Sequence, residues 1–204
     1  MEHRTTTQEP PRKTVSTGSV FYSFAPWIIF QVVASPSTWE YAALAALVAS
    51  VVLAGRDIVQ RHPNVLDLTG IAFFAVLCVL ALALDRQALL WVETYAQVIA
   101  NLAVAAVALG SLFFDPFTAQ YARRTTPRHL WDSPVFKHVN VVLTAVWGVV
   151  FLVIAVLTWL AIRLPGASDW FNWVIPILLL VGAIKFTQHY PEWYRDKALS
   201  SRDS

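Results

Sequence analysis

A chain of 204 residues that is 57% hydrophobic and only 14% charged has too little polar surface to cover a soluble globule of its size. The apolar residues fall in long blocks, which is the pattern of an integral membrane protein, and a net charge of +2 gives no ground for nucleic-acid binding. The lone cysteine, Cys78, excludes an intramolecular disulfide and suits a packing role inside an apolar run.

The apolar runs cover residues 19–35, 38–54, 66–84, 88–113, 138–162 and 170–187. Most approach the ~20 residues needed to cross a ~30 Å hydrocarbon core. The expected fold is therefore all-α: a polytopic membrane protein with six transmembrane helices in a single domain, residues 19–187. Polar tails, 1–18 and 188–204, flank it. The first 18 residues carry no apolar signal core, so the first span is expected to serve as an uncleaved insertion signal.

Topology follows from the basic residues. Thirteen of the 15 Lys and Arg residues lie in four alternate segments: Arg4, Arg12 and Lys13; Arg56 and Arg61; Arg123, Arg124, Arg128 and Lys137; and Lys185, Arg195, Lys197 and Arg202. Retention of basic residues on the inner side is expected to place both termini in the cytoplasm. The three opposite links, 35–37, 85–87 and 163–169, are short and pair the spans into three hairpins. Residues 115–127 and 185–191 both carry Phe-Thr followed by Gln, Tyr and a later Pro, a likeness too short to separate a repeat from shared interface chemistry.

In chain order, Pro26 in the first span and Pro176 in the last each remove a backbone donor and crowd the carbonyl four residues earlier, so kinks are expected there. Of nine Trp residues, Trp39, Trp91, Trp159, Trp170 and Trp173 gather at the expected outer boundary and Trp131 and Trp193 at the inner one, as an aromatic belt does. Trp27 and Trp147 lie deeper, where packing between helices is expected.

Glu93, Gln97 and Asn101 are four residues apart in the fourth span and share one helical face. Such a stripe either lines a substrate or proton path with Glu93 at its mouth or joins helices through the two amides. The joining role is the one favoured. The connection 115–137 is the second candidate. Asp115-Pro116 and Ser133-Pro134 both look like an N-cap followed by Pro at the first helical position, which predicts a short interfacial helix and then the start of the fifth span. Phe117, Tyr121, Trp131 and Phe136 are expected to enter the headgroup boundary. Arg123, Arg124, Arg128 and Lys137 would stay wet and could contact anionic lipid or a phosphate-bearing ligand, although retention on the inner side already accounts for all four. His129 and His138 lack metal-ligand spacing, and no nucleophile elbow or glycine-rich phosphate loop is present. No catalytic residue, metal or cofactor is expected.

The fifth span, with Asn140, Trp147, Gly148 and Phe151 behind a basic, Pro-containing connection, resembles small bacterial inner-membrane proteins of the intracellular septation protein A type. The resemblance implies a bacterial inner-membrane protein associated with envelope maintenance or division. It covers the last third of the chain and carries no functional residue. The expectation is a non-enzymatic accessory or scaffold of the cell envelope, meeting the lipid bilayer, anionic lipid at its inner face, and an envelope protein or a second copy of itself. A small transporter or channel using the stripe is the alternative, and an enzyme acting on lipid through Asp115, His129 or Asp132 ranks last.

Overall fold

The computed structural model describes residues 18–34, 38–59 and 64–200, with side chains from residue 23 onward except at 56 and 57. Among these residues the regular structure is helical, joined by short turns and without strands. Seven α-helices follow in order: α1 Gly18–Val33, α2 Trp39–Val59, α3 Val65–Ala83, α4 Arg86–Ser111, α5 Phe117–Ala122, α6 Pro134–Arg163 and α7 Ile175–Ser200. Each of the six apolar runs is carried by one helix. Four helical segments, Val65–Ala83, Arg86–Ser111, Pro134–Arg163 and Trp170–Ser200, are long and apolar enough to cross a membrane. The described apolar stretches of the first two helices, Ser23–Val33 and Trp39–Gly55, are shorter. Arg4, Arg12, Lys13, Arg61 and Arg202, and the first link at 35–37, lie outside the described residues.

Helix ends show how local chemistry sets the boundaries. Asp85 caps α4 by accepting from the Ala88 amide at 2.9 Å, and Ser133 caps α6 by accepting from the Phe136 amide at 3.2 Å, with Pro134 in the first helical position. Ser133 thus does what its sequence context predicts. Asp115 does not. Pro116 is the residue that precedes α5, and the Phe117 amide donates to Ser111 Oγ at 3.0 Å while Asp115 turns to Arg123. A bidentate guanidinium partner is a stronger attraction for the carboxylate than a single amide.

The break at Pro176 takes the form of a π-helical turn over Trp170–Val174. There the Ile175 amide reaches the Trp170 carbonyl, five residues back. The wider turn relieves the crowding that a proline ring imposes on the carbonyl of Asn172. Beyond the apolar stretch, α7 continues through Pro191 to Ser200. Tertiary contacts support this extension: His138 of α6 stacks on Tyr194 at 4.4 Å, its Nε2 lies 3.2 Å from the Tyr190 hydroxyl, and Tyr190 stacks on Phe186.

The most extensive interface joins α4 to α6, followed by α1 with α2 and α2 with α3. The consecutive pair α3 and α4 meets far less. Small residues explain the ranking. Ala96, Ala100 and Ala108 are buried on α4 along with Val104, while Gly148 is buried on α6; on α2, Ala42, Ala43 and Ala46 are fully buried. Small side chains let helix backbones approach closely where lipid offers no hydrophobic drive to associate. Aromatic rings fill the wider space between α1 and its neighbours: Phe24 stacks on Trp147 and Phe151 at 5.4 Å, and Trp27 packs on Phe74 at 5.0 Å. By contrast α7 is peripheral. Only 11% of its apolar window is buried, against 50% for α6.

At the tightest point of the α4–α6 interface, a β-carbon on Gly148 would stand 2.5 Å from Leu109 Cδ2 and 2.6 Å from its Cγ. Gly148→Ala must displace Leu109, and overpacking of this kind costs about 1–3 kcal/mol. Gly182 on α7 has nothing within 4 Å of that position. Gly182→Ala should be neutral or slightly stabilising, and SDS-titration unfolding of both variants in mixed micelles measures the contrast.

Candidate functional site

The connection between α4 and α6 folds into the bundle. Phe117, Thr118, Ala119 and Tyr121 of α5 are buried, and Phe117 meets Phe24 of α1 edge-on at 6.2 Å. The expectation that Phe117 and Tyr121 enter the headgroup boundary is therefore corrected. They are core residues, and the exposed aromatic pair at this end is Phe113 and Phe114 just beyond α4. The difference arises because α5 has polar partners waiting inside. Thr118 Oγ1 donates to the Asn140 carbonyl at 2.9 Å, which leaves Thr144 as the donor in the 2.8 Å contact between the two threonine hydroxyls. The Thr118 amide in turn donates to Thr144 Oγ1 at 3.4 Å. Gln120 links α5 to a third helix: its Oε1 accepts from the first amide of α3, at Val65, at 3.0 Å, and its Nε2 donates to the Asp115 carbonyl.

The four basic residues of this connection are not one cluster. Arg123 donates through both terminal nitrogens to the two oxygens of Asp115 at 2.7 Å. The hydrogen bond to Asp115 raises its pKa above the ordinary arginine value, burial opposes the shift, and the charges of Asp115 and Asp132 reinforce it. A raised arginine pKa means that the stability linked to the Arg123 charge is complete below the unfolded value and is lost only in strong alkali. Lys137 pairs with Asp132 at 3.0 Å in a fully solvated setting. Arg123 and Arg128 each lie 5.7 Å from the Trp131 ring centre, and Arg124 lies 5.9 Å from that of Tyr121. Arg128 is exposed and forms no ion pair with a described residue.

The stripe on α4 is resolved residue by residue. The Gln97 side-chain nitrogen donates to the carbonyls of Gln31 and Ala34, both at 3.2 Å, and so meets orphan carbonyls at the end of α1. Asn101 is buried and its Nδ2 donates to the Gln97 carbonyl at 2.9 Å. Glu93 is half-buried and makes no hydrogen bond or ion pair to a described residue. Two of the three residues are thus engaged with backbone carbonyls.

A second polar group escaped the sequence reading. Asp67, in the first turn of α3, is only 7% exposed, and its Oδ2 accepts from Asn64 Nδ2 at 2.9 Å. Beside it, Ser23, Pro26 and Trp27 of α1, Ser50 of α2 and Gly70 of α3 line a small cavity. The signal was available, since Asp67 is the one carboxylate inside the third apolar run. Among the described residues no three His, Cys, Asp or Glu side chains gather as metal ligands would. Comparison with protein-family models, curated proteins and solved structures finds no match to this chain.

Two substitutions measure these networks. Thr144→Val removes the hydroxyl that serves Thr118 on both sides and leaves buried polar groups unpaired, for an expected loss of about 1–3 kcal/mol. Gln97→Leu keeps the volume and removes the bond to α1, for about 0.6–2 kcal/mol. Both losses should appear as earlier unfolding midpoints in SDS titration.

Proposed function

We propose that the chain is a bacterial inner-membrane protein with six spans and cytoplasmic termini, acting as a non-enzymatic accessory or scaffold of the cell envelope. The observation that carries this reading is the engagement of Gln97 with the last carbonyls of α1. A side chain that joins two helices in this way contributes to their packing, and the polar stripe then serves cohesion. The basic connection supports the same reading: α5 is anchored by Thr118 and Gln120, and Arg123 and Lys137 pair with described carboxylates. In this topology the α5 end faces the cytoplasm, Phe113 and Phe114 reach the headgroup level, and Arg128 is offered to anionic lipid. The peripheral α7 supplies the face on which an envelope protein or a second copy would pack.

One observation favours a small transporter as the second reading. Glu93 has no partner among the described residues and stands at the end of the stripe, where an intramembrane carboxylate marks an ion path by default.

Thiol accessibility separates the two. In a Cys78→Ala background, single cysteines at 93, 97 and 101 are exposed in intact cells to a small membrane-impermeant reagent. Labelling confined to 93 is the expected outcome. Labelling that continues to 101 would mark an aqueous path and transfer the proposal to transport, with flux in liposomes expected to fall in Glu93→Gln and Asn101→Leu.

A further inference from the structure

The cavity between α1, α2 and α3 has a volume of about 10 Å³, and Ser50, Asp67 and Trp27 stand among its otherwise mostly apolar walls. Ser50 is 3% exposed and its hydroxyl has no hydrogen-bond partner. Trp27 is 5% exposed, and its indole N–H also makes no hydrogen bond to a described residue. Both groups face the same spot: a β-carbon on Gly70 would lie 3.4 Å from Ser50 Oγ and 3.4 Å from Trp27 Nε1. On the third wall is Asp67, whose carboxylate receives one hydrogen bond, from Asn64, and retains accepting capacity.

We propose that this cavity is a binding site for one water molecule, which accepts from the Trp27 indole N–H, donates to the Asp67 carboxylate and completes its bonding with the Ser50 hydroxyl. Volume and chemistry select the occupant. A cavity holds a water once it offers about 10–15 Å³ and two to four polar partners, whereas apolar cavities stay dry. The indole N–H needs a lone pair and the carboxylate needs a proton donor. A metal cation or an ammonium ion offers no lone pair to the indole, and a monatomic anion offers no proton to the carboxylate. Water does both. Gly70 keeps the space open, because a side chain there would stand against both Ser50 Oγ and Trp27 Nε1.

The site is tested on the full chain, labelled with ¹⁵N at tryptophan indoles and held in lipid nanodiscs, with the Trp27 resonance assigned by its loss in Trp27→Phe. The expected result is cross-relaxation between the Trp27 indole proton and water, with the opposite NOE and ROE signs of a long-lived bound molecule. Gly70→Ala should abolish that signal. Its methyl meets only ordinary contacts at 3.4 Å and favours the helix, so the unfolding midpoint should hold or rise. Ser50→Ala should retain the signal, since two partners remain. Absence of cross-relaxation in the native chain, its survival in Gly70→Ala, or its loss in Ser50→Ala, which would trace it to the hydroxyl proton, each overturns the proposal. A shift of the Trp27 resonance when sodium replaces choline would do so as well, by assigning the cavity to a cation.

Discussion

The hydrogen-bonded seat of Thr118 against Thr144 and Asn140 holds a non-membrane-length helix inside a bundle of long apolar ones, and the arrangement of that end depends on it. A six-residue helix brings amides and carbonyls that its own turns cannot satisfy. Inside an apolar environment each would cost several kcal/mol if unmet, roughly the scale of a small protein's margin. Ser111 takes the first amide, Thr144 the second, and the last turn is closed by the Arg123 amide to the Ala119 carbonyl. Because Gln120 extends from the same helix to the start of α3, α5 couples α3, α4 and α6 at one end. Phe117 against Phe24 adds α1.

At the opposite part of α4 the same accounting is met by a side chain in place of a helix. Gln97 supplies donors to the carbonyls of Gln31 and Ala34 at the end of α1. Between these two polar joints α4 buries Ala100, Val104, Ala105 and Ala108, and Gly148 of α6 lies against Leu109. Close backbone approach provides dispersion contacts along the middle of the helices, while hydrogen bonds fix the register at their ends. This division explains why α4, with three polar residues on one face, packs more extensively than α3, which is more apolar. In a bilayer, apolarity by itself gives a helix no reason to prefer a neighbour over lipid.

The helices themselves were legible from hydropathy, because apolar blocks bounded by Asp85, by Ser133-Pro134 and by basic segments state their own limits. The Ser133 cap was legible for the same reason: its partner is local. What could not be read were choices decided by distant residues. Asp115 and Ser133 have the same local grammar, but only Asp115 has Arg123 within reach. Phe117 and Tyr121 look like headgroup anchors until Thr144 and Asn140, more than twenty positions away, draw α5 inward. The end of α7 was similarly hidden. Hydropathy falls after residue 187, and only the stacking of His138 on Tyr194 reveals why the helix persists through Pro191.

The candidate site divides along the same line. Glu93, Gln97 and Asn101 stood out because three polar residues at a spacing of four are visible in one dimension, and two of them proved to be satisfied by carbonyls. The groups with bonding capacity to spare are the ones that no spacing connects. Trp27, Ser50 and Asp67 belong to three different helices, and each has an ordinary explanation when taken alone: an aromatic for packing, a small residue for close approach, an acid in the first turn of a helix. Their gathering around one small cavity is a property of the packing. Since a polar pattern on one helix can be met by the backbone of its neighbours, the more telling polar groups in a bundle of this kind are those gathered from several helices around a space that none of them fills.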